Sequence, residues 1–367
     1  MTEPSTTVRP RAAFFSSIQA LRGIAAVLVV LFHLRSMEDL HGQGRQILPS
    51  LLEFAYGGVD LFFVISGFVM VSVAAGSYRS PAGAGRFLLR RAWRIVPPYW
   101  FYTSLLVAPM LLMPGVLDAS HGYGKIATSY LLWPQASLPI LMVGWTLIFE
   151  AYFYLAMAVA IALLPERYAG TFLAGWGVAA MAVHATAGAD APPWLTVASS
   201  PMVLEFIAGA LVGLHWRRLP ARYGLPCLSL GAFAFVASMF VLAQAGAHEP
   251  SPMLRTVVFG SASTVIVLGA VAWESAGPVR IPRWLLILGN ASYSIYLAHP
   301  FVISLTGRLW RNTAIGQVQG LHAASVVVAI LLCLAVGIAS YRWLERPVQS
   351  IGGFLFKPRP TPVAQPA

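Results

Sequence analysis

The chain has 367 residues, 58% of them hydrophobic and only 10% charged, with a mean hydropathy of +0.72. A soluble domain carries about 25% charged residues, so water is the wrong solvent for most of this surface. Long apolar runs without strict alternation point to an all-α, polytopic transmembrane helical bundle and away from a β-barrel. The net charge of +11 suggests nucleic acid only if its placement does not follow the membrane rule.

Residues 1–17 read as a polar, disordered tail. The first apolar run, Ile18 to Met37, carries Arg22 and has no small-residue cleavage site after it, so no signal peptide is expected. Nine further spans follow: Val59–Ala75, Ile95–Met113, Ile140–Leu164, Thr171–Ala187, Val197–Trp216, Leu225–Ala245, Leu254–Trp273, Trp284–Leu305 and Leu321–Tyr341. The segment Ile126–Leu138, with Pro134 inside, is too short to span and reads as interfacial or re-entrant. Residues 349–367 form a Pro-rich tail after a membrane domain of residues 18–348.

Charge sets the orientation. With ten spans and both termini cytoplasmic, the inner segments collect 18 of the 24 basic residues; the outer ones hold only Arg35, Arg45, Lys125, Arg255, Arg308 and Arg311. This is the positive-inside bias, and it accounts for the net charge without nucleic acid. Cys227 and Cys333 both lie in apolar stretches and read as buried thiols. No His, Cys and carboxylate spacing suggests a metal.

An ionisable group at mid-membrane costs about 2.5–3.5 kcal/mol on insertion scales, so each invites a functional reading. Arg22 and His33 are eleven steps apart on the first span. At about 100° per residue they share a face, about 16 Å apart along the axis. A cation at the cytoplasmic edge and an imidazole deeper in suit a long donor whose phosphates stay in the cytoplasm. Imidazole is also a natural base near neutral pH. The plainer reading is a structural histidine and a routine positive-inside arginine. In RRAWRIVPPYW, Arg91 and Arg94 are i and i+3 at the membrane edge, and Pro97 and Pro98 fit the first turn of the next helix. Two guanidiniums on one face make a phosphate site, although ordinary loop charge is the alternative.

Asp60, in YGGVDLFFVISGF, is placed to orient His33, to bind sugar hydroxyls, or to serve only as an interfacial carboxylate. Glu150, in GWTLIFEAYFYL, falls mid-span beside Trp145, Tyr152 and Tyr154, a setting for sugar stacking and hydroxyl bonding, with a structural arginine partner as the alternative. Glu205 is similarly deep but has apolar neighbours. LGNASYSIYLAHPF gives one helix unusual polar content through Asn290, Ser292, Tyr293, Ser294 and His299, either for an acceptor or for polar helix contacts.

Taken together, IQALRGIAAVLVVLFH, GGVDLFFVISGF, RRAWRIVPPYW, GWTLIFEAYFYL, LGNASYSIYLAHPF and the closing YRWLERPV resemble the membrane acyltransferase-3 family, and within it the exopolysaccharide acetyltransferases. The resemblance covers about residues 18–348 in the family's order. It implies a ten-helix enzyme of the bacterial inner membrane that uses acyl-CoA, above all acetyl-CoA, as co-substrate to O-acylate a saccharide or lipid-linked saccharide, with no bound cofactor. It implies His33 as the catalytic residue and Arg22, Arg91 and Arg94 as the acyl-CoA site; by position in the spans, Asp60 or Glu150 is expected to assist catalysis by orienting the imidazole or the acceptor. Trp145, Tyr152, Asn290, Tyr293, Ser294 and His299 are the candidate acceptor contacts. Some relatives carry an extracytoplasmic hydrolase-like domain; none follows in this sequence, so transfer is expected to be completed by the membrane domain or with a partner. The acyl group, the acceptor, and base catalysis versus an acyl-histidine route remain open at this point. The rival reading is a transporter or flippase for a lipid-linked saccharide, which needs no cytoplasmic phosphate clamp.

Overall fold

The computed structural model describes residues 15–112, 125–188, 190–248, 250–313, 315 and 318–355. The helices are α1 (Ser16–His41), α2 (Gly57–Ala74), α3 (Pro81–Leu112), a short α4 (Ile126–Tyr130), α5 (Trp145–Leu163), α6 (Ala169–Thr186), α7 (Pro193–Ala198), α8 (Val203–His215), α9 (Gly224–Gln244), α10 (Pro252–Arg255), α11 (Ser261–Ser275), α12 (Arg283–Asn312), α13 (Gln319–Ser340) and α14 (Arg346–Leu355). Among the described residues, nine segments are long and apolar enough to cross a membrane. The chain is thus a multi-pass helical membrane protein. The segment after residue 125 makes only the five-residue α4, so it does not span.

Two tail boundaries shift. Ser16 and Ser17 are helical because the Glu274 carboxylate, at the end of α11, accepts both their backbone N–H groups at 2.8 Å, supplying the orphan donors of the α1 start with partners. Residues 349–355 belong to α14. Residues 1–14 and 356–367 lie outside the described residues.

α6 is the expected span over 171–187, yet its glycines and His184 leave it outside the nine apolar segments. Helix directions nevertheless require it to return the chain. Gly23 on α1 lies against Gly289 on α12, and His33 against His299, so both pairs are offset by 266 positions and the helices are parallel. Gly209 lies against Val64 and Gly213 against Phe68, so α2 and α8 are parallel too. With α6 crossing, α12 is the ninth span and α8 the sixth, each with the same parity as its partner. Without α6 both parities fail.

These seams close on glycine, as expected where apolar lipid gives helices no hydrophobic reason to associate and close packing must serve instead. A Cβ at Gly289 would lie 1.9 Å from the Gln19 carbonyl oxygen, and one at Gly209 1.8 Å from that of Val64. At the far end of α1, buried Glu38 accepts from the backbone N–H groups of Ile47 and Leu48 at 2.8 and 3.1 Å and contacts His322 at 2.9 Å. Arg35 adds Glu53 at 2.8 Å, so this ion cluster clamps the loop after α1.

Gly289→Val should separate α1 from α12. Overpacking costs about 1–3 kcal/mol, and the thermal midpoint in detergent should fall by several degrees. Gly175→Val on α6, with open space around it, should leave the midpoint near wild type.

Candidate active site

α3 begins at Pro81, well before the expected first turn at Pro97 and Pro98, both of which lie inside the helix. Ala84, Phe87, Arg91 and Ile95 form a buried stripe at helical spacing, which extends the helix through the arginines. Arg91 is part of that stripe at 6% exposure, so it is not loop charge. The Arg91 guanidinium lies over the Phe87 ring at 5.9 Å.

Arg22 of α1 donates to Gln19 at 3.0 Å and has Arg94, Glu345 and Glu150 as its charged neighbours. Glu150 of α5 accepts from the Tyr154 hydroxyl and, at 3.4 Å, from Ser66 of α2. Glu345 accepts from Ser294 at 2.6 Å and from Gln349 at 2.7 Å. It sits on a π-helical turn, Tyr341–Glu345, between α13 and α14; such bulges re-aim side chains at functional sites. Three guanidiniums face two carboxylates here, leaving the region net positive.

Arg22, Arg91, Arg94, Glu150, Tyr293 and Tyr296 wall a narrow cavity of about 90 Å³. Its wall on α2 runs from Met70 to Val59, eleven steps or about 16 Å of helix. A second hollow of about 400 Å³ shares Arg91 and Arg94 and adds Arg86, Arg90, Gln349 and Gly352. Trp93, which donates to the Val348 carbonyl at 2.7 Å, ties α14 to α3 beside it.

His33 is not in the cavity wall. The wall on α12 ends at Tyr296, one helical turn before His299, and His299 is the partner of His33, with ring centroids 4.8 Å apart. Tyr296 stands between, its hydroxyl donating to the Val143 carbonyl at 2.9 Å and lying 2.8 Å from that of Thr146.

The other candidates disperse. Asp60, fully buried, is gripped through both oxygens by Arg255 at 2.7–3.1 Å, so its carboxylate is committed there and makes no bond to His33. Glu205, also buried, sits beside this pair, next to the π turn Thr256–Gly260. Tyr152 faces α6, accepting from Trp176 at 3.3 Å. Trp145 packs on Phe63 and Phe149. Asn290 is exposed and bonded to Gln19 at 2.7 Å. Tyr293 lines the cavity and donates to Ile95 O at 2.6 Å, whereas Ser294 is spent on Glu345. Sequence reasoning missed Glu345, although a carboxylate just after an apolar span was its signal, and Arg255, which the outer-loop count absorbed. Among the described residues no cluster is placed to hold a metal.

A family model described as an acyltransferase domain matches residues 15–342, and the chain belongs to this membrane acyltransferase-3 family. It is 35% identical over 298 residues to the exopolysaccharide production protein ExoZ of Rhizobium meliloti (strain 1021), covering 79% of this chain and 88% of that one. It is 28% identical over 353 residues to the putative membrane-bound transacylase BcsY of Komagataeibacter xylinus, covering 90% and 81%. The O-acetyltransferase OatA of Staphylococcus aureus is 21% identical over 382 residues, covering 94% of this chain but 59% of that longer protein. No solved structure matches.

Removing one partner of a buried ion pair costs about 3–5 kcal/mol because the other charge is stranded. Arg255→Ala should therefore lower the melting temperature sharply, and Asp60→Asn in the same chain should restore much of it. An additive double variant would show that the pair is not coupled.

Proposed function

We propose that this protein is an acyl-CoA-dependent O-acyltransferase that moves an acyl group, acetyl in the first instance, onto a hydroxyl of a cell-surface saccharide or exopolysaccharide. The observation that carries this is the net-positive cavity of Arg22, Arg91 and Arg94, leading along about 16 Å of helix to the level below the His33–His299 pair. Arginine forks suit phosphate, and the adjoining hollow brings Arg86 and Arg90 beside them. A transporter has no use for such a clamp at one end of its cavity. The relatives named for exopolysaccharide production and O-acetyl transfer support the acceptor class.

The positive-inside bias supports a cytoplasmic N-terminus, in a bacterial inner membrane. The donor's phosphates then enter at Arg22, Arg91 and Arg94, while its pantetheine arm extends towards Tyr296 and His33. The acceptor meets the thioester from the other side. His33 either removes the acceptor's proton as its oxygen attacks the thioester carbonyl, or takes the acyl group on its own nitrogen and hands it on. Glu150, bonded to Ser66 and Tyr154, orients groups in the cavity. Asp60 serves through its pairing with Arg255, holding α2 in place.

His33→Ala should reduce transfer about 10²–10⁴-fold at normal protein level, read as acyl mass increments on cell-surface glycans; wild-type acylation would remove His33 from the chemistry. Arg91→Ala with Arg94→Ala should raise the KM for acetyl-CoA strongly, at about 1.5–3 kcal/mol per lost charged bond, and leave the acceptor KM near its starting value. For sidedness, Arg90→Cys should label only from the cytoplasm and Gln43→Cys only from outside.

A further inference from the structure

His33 and His299 approach through their ring nitrogens, and their backbone contacts fix which nitrogen carries the proton. A carbonyl oxygen only accepts, so His33 Nδ1, 2.8 Å from Val29 O, bears hydrogen. His299 Nδ1, 3.2 Å from Ile295 O, bears hydrogen for the same reason. In a neutral ring the Nε2 of His299 is then a lone pair, and it lies 3.4 Å from the Nδ1–H of His33. The Nδ1–H is therefore shared between two acceptors, and Nε2 of His33 keeps its own lone pair for chemistry. Among the described residues, neither imidazole has a carboxylate in ion-pair reach. The place an acid takes in a Ser-His-Asp triad, bonded to the back of the working imidazole, is here held by a second, fully buried imidazole.

We propose that His299 is a positioning residue that holds His33 in the Nδ1–H tautomer and accepts from that N–H while Nε2 of His33 does the transfer; this rests on the reading of His33 as the catalytic group. In the base route, Nε2 takes the acceptor's hydroxyl proton as the oxygen bonds to the thioester carbon. The ring then holds both protons, its charge spread towards Val29 O and His299 Nε2. As the C–S bond breaks, the Nε2 proton goes to the departing thiolate and His33 returns to neutral. In the acyl-histidine route, Nε2 bonds the acyl carbon as the C–S bond breaks and the thiolate leaves, and the Nδ1–H contact supports the cationic ring; the acceptor oxygen then bonds that carbon as the C–N bond breaks, and its proton passes by way of the freed Nε2 to the thiolate. Apo contacts of this kind are commonly long and tighten when substrate is bound. A neutral partner also avoids a buried carboxylate, whose desolvation would be costly beside no cation.

The test uses the full chain in membrane vesicles with radiolabelled acetyl-CoA, reading transfer into the vesicles' polymeric saccharide. His299→Leu removes the acceptor atom, whereas His299→Gln restores an oxygen near the Nε2 position. His299→Leu should lower kcat about 10²-fold or more with the acetyl-CoA KM unchanged, and His299→Gln should regain at least tenfold of that loss. Equal activity of the Leu and Gln variants, or a fall confined to KM, overturns the proposal. If His299→Leu does not fold by thermal melting, His299→Asn takes its place: it keeps the Ile295 contact, is too short to reach His33, and should be as inactive as expected for Leu. His33→Ala run beside these separates the two readings. Full transfer by His33→Ala removes the premise, whereas a dead His33→Ala with an active His299→Leu overturns only the role of His299.

Discussion

The parallel packing of α1 on α12 sets the geometry of everything else. Gly23 and Gly289 bring the two backbones so close that no side chain fits between them, and the offset they establish is the offset at which His33 meets His299. Because both helices run the same way, that register holds for more than two turns of shared length. Arg22 lies one residue before Gly23, so the cation and the imidazole are referred to the same seam. Other glycine contacts, such as Gly209 on Val64, do the same for α8 and α2, and α2 carries one wall of the cavity.

Charge inside the bundle is sorted by this scaffold. One region combines Arg22, Arg91 and Arg94 with Glu150 and Glu345 and retains a positive excess around open space. The other, Asp60 with Arg255, is closed by bidentate bonds. Both adjoin a π-helical turn, at Tyr341–Glu345 and at Thr256–Gly260. Each turn adds a residue to its helix and so brings a side chain, Glu345 or Arg255, to a face that an unbroken helix would present differently.

Much of this was legible in the residues. Span positions follow from apolar runs long enough for the bilayer, and the eleven-residue spacing places Arg22 and His33 on one face of α1. The start of α3 was misread because charge density was taken as loop character; the stripe through Ala84, Phe87 and Arg91 carries the opposite message. Asp60 illustrates the deeper limit. Its burial is readable from composition, but the arginine that claims it lies 195 positions away, on a segment counted as outer loop. The His33–His299 contact is hidden for the same reason, since only the tertiary register of α1 and α12 brings the two together. Tyr152 and Asn290 looked as suitable as Tyr293 because neighbours in sequence point around the whole helix circumference.

The aromatic partition at Tyr296 bears on the cell as much as on the reaction. A bilayer sustains a potential worth about 2.3 kcal/mol per charge per 100 mV, and an enzyme that handled substrates from opposite faces through an open bore would discharge it. Tyr296, pinned to Thr146 and Val143 with Phe62 against it, stands between the arginine-lined cavity and the histidines. In the proposed reaction a donor arm has to displace this tyrosine to reach His33, so the opening of the partition would be tied to the presence of bound donor.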